Sequence, residues 1–284
     1  MSDLKIHTYT AAEAGLLVNS FLVQTDEGVV VVDANLLNSD IAGLCARVEA
    51  LGRPLLGVFV THAHPDHFNG VHALVAERDI PVYATAAVAE AIEAVADAKR
   101  TQWKPVYGDE WPDVTAYPTM RLADGEAVDL GGVRFSVHDM GAAESHADSY
   151  ILAGPASGGR SSAFIGDLAF HGTHPYTADG HSAAWLAALD ALPAALAGAE
   201  RLLPGHGAPA GPSLLTAQRR YLVHYREAVR RLADGRPKLT DAAKEELEHV
   251  MTDFAPDLPL TWMIGLGADA VAAELAQETE AQIR

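Results

Sequence analysis

A chain of 284 residues, 49% apolar and 20% charged, can bury a substantial core and reads as globular rather than disordered. Its formal net charge of −18 leaves no basic surplus to displace counterions, which argues against nucleic acid as a general partner. A single cysteine, Cys45, excludes an intramolecular disulfide and a thiolate-built zinc knuckle. No basic segment followed by an apolar stretch opens the chain, and no apolar run could span a bilayer, so the expected address is the cytoplasm with no membrane partner.

In chain order, residues 16–24 (LLVNSFLVQ) and 28–33 (GVVVVD) are β-rich runs separated by TDEG, a tight-turn signal. Residues 38–51 carry a helical pattern that ends at Gly52, with Asn38, Ser39 and Asp40 as capping candidates. LLGVFVTHAH then reads as a buried strand, followed by a short helix at 69–77, a strand at 81–84 and an Ala-rich helix at 86–98. Residues 99–122 hold three prolines, two tryptophans and two tyrosines and predict a long aromatic loop of functional use. Further strands are expected at 126–130, 132–138, 149–153, 161–166 and 201–203, with a helix over 182–197. Beyond Pro212 the pattern is helical, over 213–233, 240–253 and 266–279. Strand-rich halves each followed by helices predict two packed sheets with helices outside, an α/β sandwich.

The stretch THAHPDHFNG, residues 61–70, concentrates ligand chemistry. His62 and His64 are two apart at a strand end and so share a face, and Asp66 and His67 follow where Pro65 turns the chain away. A lone histidine at a strand end is more often hydrogen-bonded structure than a ligand. This many donors would over-supply one metal and suit two ions about 3.5–4 Å apart. Such a pair demands more ligands at other strand ends, and His146 (AAESHADSY), Asp167 (FIGDLAF) and His206 (PGHG) stand at such positions. Histidines 7, 72, 138, 224 and 249 have no motif around them and read as surface or core residues. Asp148 reads either as a hydrogen-bonding partner behind the ligands or as an ordinary turn aspartate.

HAHPDH, a turn histidine, GD and PGHG in this order resemble the metallo-β-lactamase-fold hydrolase superfamily over residues 1 to about 210. The resemblance implies a four-layer αββα sandwich over 1–210, with residues 211–284 as a C-terminal helical extension packed on it. It implies His62, His64 and His146 for the first metal, Asp66, His67 and His206 for the second, and Asp167 bridging both. Nitrogen and carboxylate donors without thiolate suit two zinc ions best, and manganese or iron fit the same set. The implied chemistry is a metal-bridging hydroxide attacking an acyl carbonyl, with Asp66 as the catalytic carboxylate that orients it.

The branch is less defined. HADS replaces the HTPG of thioesterase-like members such as glyoxalase II. Asp167 argues against a true β-lactamase, and Phe170 stands where lactonases of this type place a tyrosine. Acidity and a missing basic arm count against the tRNA-processing nucleases, and a phosphodiesterase on the same scaffold is an alternative. A mononuclear iron oxygenase of the persulfide dioxygenase type would need only His62, His64, His146 and Asp167. Candidate substrate contacts are Trp103, Tyr107 and Trp111 of the aromatic loop, Phe170, His171, His174 and Tyr176 after the bridging aspartate, and Trp262. LPLTWMIG reads as closing the cleft or as a homodimer face. Aromatic richness without clustered cations predicts a small, fairly apolar substrate with an ester, lactone, thioester or amide bond.

Overall fold

The computed structural model describes residues 4–76 and 78–283. The final residue of the expected 69–77 helix, and residues 1–3 and 284 at the ends of the expected domains, lie outside the described residues. The first half forms β1 (Lys5–Thr10), β2 (Asn19–Gln24), β3 (Val29–Val32), α1 (Asn38–Ala50), β4 (Leu55–Phe59), α2 (Pro65–Phe68), α3 (Val71–Val75), β5 (Val82–Thr85), α4 (Ala86–Tyr107) and β6 (Met120–Leu122). The second half forms β7 (Ala127–Leu130), β8 (Val133–Gly141), β9 (Asp148–Pro155), β10 (Ser161–Gly166), α5 (Ser182–Ala195) and β11 (Ala199–Pro204). Helices α6 (Ser213–Ala233), α7 (Asp241–Phe254) and α8 (Trp262–Ile283) follow.

Two sheets result, one ordered β1-β2-β3-β4-β5-β6 and the other β11-β10-β9-β8-β7. Pairing is antiparallel through β1-β2-β3, parallel from β3 to β6, antiparallel through β7-β8-β9-β10 and parallel at β10-β11. The period of two along each strand distributes the core. In β3, Val29 and Val31 pack outward with Leu44 and Val48 of α1 and Ile92 of α4, while Val30 and Val32 pack between the sheets. Phe59, Phe21, Phe135 and Phe164 fill the space between the sheets, and Ile165, Leu202 and Tyr150 pack outward under Trp185 and Leu189 of α5 and Leu222 of α6. Strands buried on both faces read as continuous apolar runs, as GVVVVD does. The layers are helix, sheet, sheet, helix: a four-layer αββα sandwich with C-terminal helices. Helices α6, α7 and α8 share a further apolar cluster around Tyr225, Leu247 and Val271.

Several sequence expectations are corrected. Residues 99–107 are not loop: α4 runs on to Tyr107 and stops at Gly108, whose φ of 56° a side chain would resist. Pro105 sits in the last turn, where its missing N–H removes one backbone hydrogen bond and the apolar contacts of Trp103 and Tyr107 offset the loss. β1 and β6 are edge strands not anticipated from the pattern, and β2 starts only at Asn19 because Leu16 and Leu17 take left-handed φ values of 67° and 57°. Asn38, Ser39 and Asp40 do not cap α1 with their side chains. The Ser39 N–H is instead capped by Glu110 Oε2 at 3.0 Å, and Asp40 Oδ1 accepts the Ala12 N–H at 3.0 Å. Of the expected 69–77 helix, Val71–Val75 is helical as α3, and a separate short turn, α2, precedes it at Pro65–Phe68.

The packing between sheets can be tested at Phe59, which stacks on Tyr83 (centroids 4.7 Å apart) and on Phe135 (5.1 Å). Phe59→Ala is expected to lower unfolding stability by about 3–5 kcal/mol in urea melts. A loss under about 1 kcal/mol would contradict this arrangement.

Candidate metal centre

Strand ends from both sheets converge at one edge of the sandwich. β3 ends in Asp33, β4 leads into Thr61 and His62, β10 ends in Gly166 and Asp167, and β11 leads into Gly205 and His206. A short bridge between His62 and Asp148 ties the two sheets, with the Ser149 N–H donating to the Thr61 carbonyl at 3.0 Å. Two glycines allow this approach. A Cβ at Gly166, whose φ is +47°, would stand 2.7 Å from Thr61 Oγ1, and one at Gly205 would collide with Asp167 Oδ1.

Each ring in the cluster is held from behind. His67 Nδ1 lies 2.8 Å from Asp33 Oδ2, and Thr61 Oγ1 donates to the same oxygen at 2.8 Å while lying 3.1 Å from His62 Nδ1. His206 Nδ1 donates to the Leu16 carbonyl at 2.8 Å, and His64 Nε2 lies 3.0 Å from Asp179 Oδ2. With those nitrogens protonated and donating outward, the opposite nitrogens turn their lone pairs inward, the arrangement a metal ligand needs.

Inside, the donors form two groups: His62, His64, Glu144 and Asp167, and Asp66, His67 and His206. In the first, His62 Nε2 and His64 Nδ1 are 3.2 Å apart, and Glu144 Oε2 lies 3.7 and 3.1 Å from them. In the second, Asp66 Oδ2 lies 3.5 Å from His67 Nε2 and 3.3 Å from His206 Nε2. Asp167, a member of the first group, also reaches the second, with Oδ1 3.4 Å from His67 and Oδ2 3.3 Å from His206. Donors ~2.1 Å from a common tetrahedral centre stand ~3.4 Å apart, so this spacing fits two divalent ions. Hydrogen bonding does not account for the arrangement, since His67 Nε2, Asp167 Oδ1 and both Glu144 oxygens are buried without a hydrogen-bond partner.

His146 is the correction. Its side chain is 50% exposed, Nδ1 lies 2.6 Å from His181 Nε2, and Nε2 faces Asp179 at 3.8 Å, so neither nitrogen enters the cluster. Asp148 explains why. Its buried Oδ2 accepts the Ala143 N–H at 3.1 Å and the Ser145 N–H at 2.8 Å, curling the 143–148 turn so that Glu144 points in and His146 out. Burial pushes the Asp148 carboxyl up to about 6, against the pull of the Ser145 N–H. Burial likewise pushes Glu144 up to about 8, with His64 opposing. His206 is pulled down by burial, and the adjacent Asp167 carboxylate more than reverses this, holding it up at about 10. Asp167 itself is held below the usual carboxylate range: burial would raise it, but His206 and His67 outweigh that. His62 is lowered by burial and by His67.

Above the cluster opens a cleft of about 530 Å³, counting the open solvent at its mouth. Of the expected substrate contacts, Trp103, Tyr107, Trp111, Phe170, Tyr176 and Trp262 line it, joined by Leu16, Leu36 and Met263. His171 and His174 do not. His171 Nδ1 lies 2.7 Å from the Ala208 carbonyl, and His174 is buried against Tyr221, with Nδ1 2.7 Å from the phenol oxygen. Lys99 is, among the described residues, the only Lys or Arg lining the cleft, and its Nζ lies 3.5 Å from Asp179. Sequence reasoning missed Glu144, Asp179, Asp33 and Lys99. It also missed that Trp103 and Tyr107, four residues apart, share a face of α4, with Trp111 following beyond the stop at Gly108.

The pKa shifts set a pH dependence for the metal-free protein. His206 is raised above its ordinary 6.5, so its contribution is complete below 6.5 and is lost as pH rises through about 10. Glu144 and Asp148, raised above 4.5 and 3.8, act in the same direction up to about 8 and 6. His62, being lowered, loses stability only as pH falls below 6.5. The melting temperature of chelator-treated protein is expected to fall from pH 6.5 to 10, and metal loading should flatten the slope because ions replace the protons. A flat or rising profile for the chelated protein would contradict this assignment.

Comparisons with known proteins agree with the geometry. Curated relatives match over 85 residues: an exodeoxyribonuclease YycJ of Bacillus anthracis at 33% identity and an exodeoxyribonuclease WalJ of Streptococcus pneumoniae at 31%. Each match covers 30% of this chain, and the chain spans only 32% of the length of these relatives. Among solved structures, a metallo-beta-lactamase family protein from Thermus thermophilus superposes over 97% of this chain and 94% of its own, with a TM-score of 0.67 and 19% identity. A metallo-beta-lactamase from Pontibacter korlensis covers 78% and 96%, with a TM-score of 0.60 and 22% identity. At those identities the likeness is one of fold. Among the described residues no helix is long and apolar enough to cross a membrane. The sequence model of the Metallo-beta-lactamase superfamily matches residues 14–206, most of the chain and all of the donor cluster; the chain therefore belongs to that superfamily, whose members are mostly metal-dependent hydrolases.

Proposed function

We propose that the protein is a dinuclear-metal hydrolase that cleaves an ester, lactone, thioester or amide carbonyl in a small, largely apolar molecule. The observation that carries this reading is an aromatic cleft floored by the two donor groups. Trp103, Tyr107, Trp111, Phe170 and Trp262 supply apolar walls, and Lys99 at its side is engaged by Asp179. His62, His64, Glu144 and Asp167, with Asp66, His67 and His206, would hold two divalent ions, which would supply Lewis acidity and a water acidic near neutral pH.

The chain's own residues do the rest. Asp167, grouped with His62, His64 and Glu144 and within 3.4 Å of His67 and 3.3 Å of His206, would be shared by the two donor groups. Asp66 has one oxygen turned to His67 and His206, and its side chain is 10% exposed at the cleft floor, where it orients the nucleophilic water and takes up its proton. Leu16, Leu36 and the tryptophans exclude bulk water and orient an apolar acyl or leaving group. Lys99, beside the Tyr176 phenol that itself donates to Asp179, offers an ammonium donor to a polar group at the rim.

A phosphodiesterase reading draws support from the exodeoxyribonuclease relatives. It is weaker, because the net charge is −18 and the cleft lacks the basic track a nucleic-acid backbone needs. A one-iron oxygenase would leave the Asp66, His67 and His206 group without a purpose.

The test is turnover of lactones, thioesters, aryl esters, amides, β-lactams and phosphodiesters by metal-quantified protein. Carbonyl substrates should be hydrolysed, and Asp66→Asn should lower kcat about 10²–10⁴-fold. Trp111→Ala should raise KM with kcat little changed, the sign of a uniform binding contact. Cleavage of phosphodiesters alone, or oxygen uptake without hydrolysis, would overturn the proposal.

A further inference from the structure

The expected first position held three histidines, His62, His64 and His146, and the fold does not deliver the third. Glu144 is there instead, with its side chain fully buried, both oxygens without a hydrogen-bond partner, and Oε2 3.1 Å from His64 Nδ1. A buried, unpartnered carboxylate aimed at two inward-facing imidazole lone pairs is a costly arrangement unless a cation occupies the space between them. Resting on the two-metal reading above, we infer that Glu144, not His146, is the third ligand of the first metal position, and that this shifts the centre from zinc toward manganese(II) or iron(II).

The two halves of the site then have the same chemistry. His62, His64 and Glu144 on one side mirror His67, His206 and Asp66 on the other, with Asp167 shared. Three carboxylates against two dications leave one net positive charge, where a third histidine in place of Glu144 would leave two. Two imidazoles with carboxylates form the donor set of iron(II) centres, and added carboxylate oxygen favours manganese, whereas added imidazole favours zinc. The selectivity comes from a turn. Asp148 takes the N–H groups of Ala143 and Ser145 and thereby sets which neighbour faces inward.

Metal content and competition titration test this without any substrate. The wild type and His146→Ala should each hold two equivalents of Mn²⁺, and Glu144→Gln should hold one. Glu144→His should raise the Zn²⁺-to-Mn²⁺ affinity ratio at least about tenfold. Loss of an equivalent in His146→Ala, or two equivalents with an unchanged ratio in both Glu144 variants, would overturn the inference. Should the Glu144 variants fail to fold, proton NMR of the cobalt(II)-loaded wild type decides. Four paramagnetically shifted, exchangeable ring N–H signals are expected from His62, His64, His67 and His206, and a fifth that vanishes in His146→Ala would refute the assignment. Protein that binds metal in this way yet hydrolyses nothing would leave this inference standing and remove the hydrolase reading.

Discussion

The Asp33 carboxylate is the interaction on which the site depends. From the end of β3, Oδ1 accepts the Thr61 N–H at 2.9 Å, and Oδ2 takes both the Thr61 hydroxyl and His67 Nδ1 at 2.8 Å. One buried group thereby locks the end of β4, the turn into α2 and the tautomers of two rings. A bare carboxylate at such depth would be costly, and three hydrogen bonds satisfy it. Asp33 adopts a φ of 61°, a left-handed conformation that a single short polar residue tolerates and that turns the chain off the strand toward the ligands.

The scaffold serves this anchor. Parallel strands β3, β4 and β5 end together, so the residues just beyond them meet at one edge, and β10 and β11 do the same in the facing sheet. The aromatic layer of Phe21, Phe59, Phe135 and Phe164 holds the two edges in register. The C-terminal helices add to the cleft as well as to the bulk. The turn after Asp167 is pinned beneath them through His174 and Tyr221, and the first turn of α8 brings Trp262 and Met263 to the rim.

Much of this was legible in the sequence, for identifiable reasons. HAHPDH, GD and PGHG put polar donors where apolar runs give out, and strand periodicity alone says that His62 and His64 share a face. Glu144 was not legible. In ESHADS, Glu144 and His146 are both reasonable ligands, and the choice is made by hydrogen bonds from Asp148 to backbone N–H groups that no pattern records. The outer partners Asp33 and Asp179 lie 34 and 115 positions from the rings they hold, so only the tertiary fold joins them. The aromatic wall was seen as residues, but Trp103 and Tyr107 were read as loop because Pro105 concealed their four-residue helical spacing.

The central claim is that one buried cluster holds two ions joined by Asp167. Metal analysis of the purified chain after exhaustive dialysis, beside Asp167→Asn, tests it most directly. The account predicts two divalent ions per chain in the wild type and weakened binding at both positions in the variant. A single ion per chain, or an Asp167→Asn protein that retains both as firmly as the wild type, would contradict it.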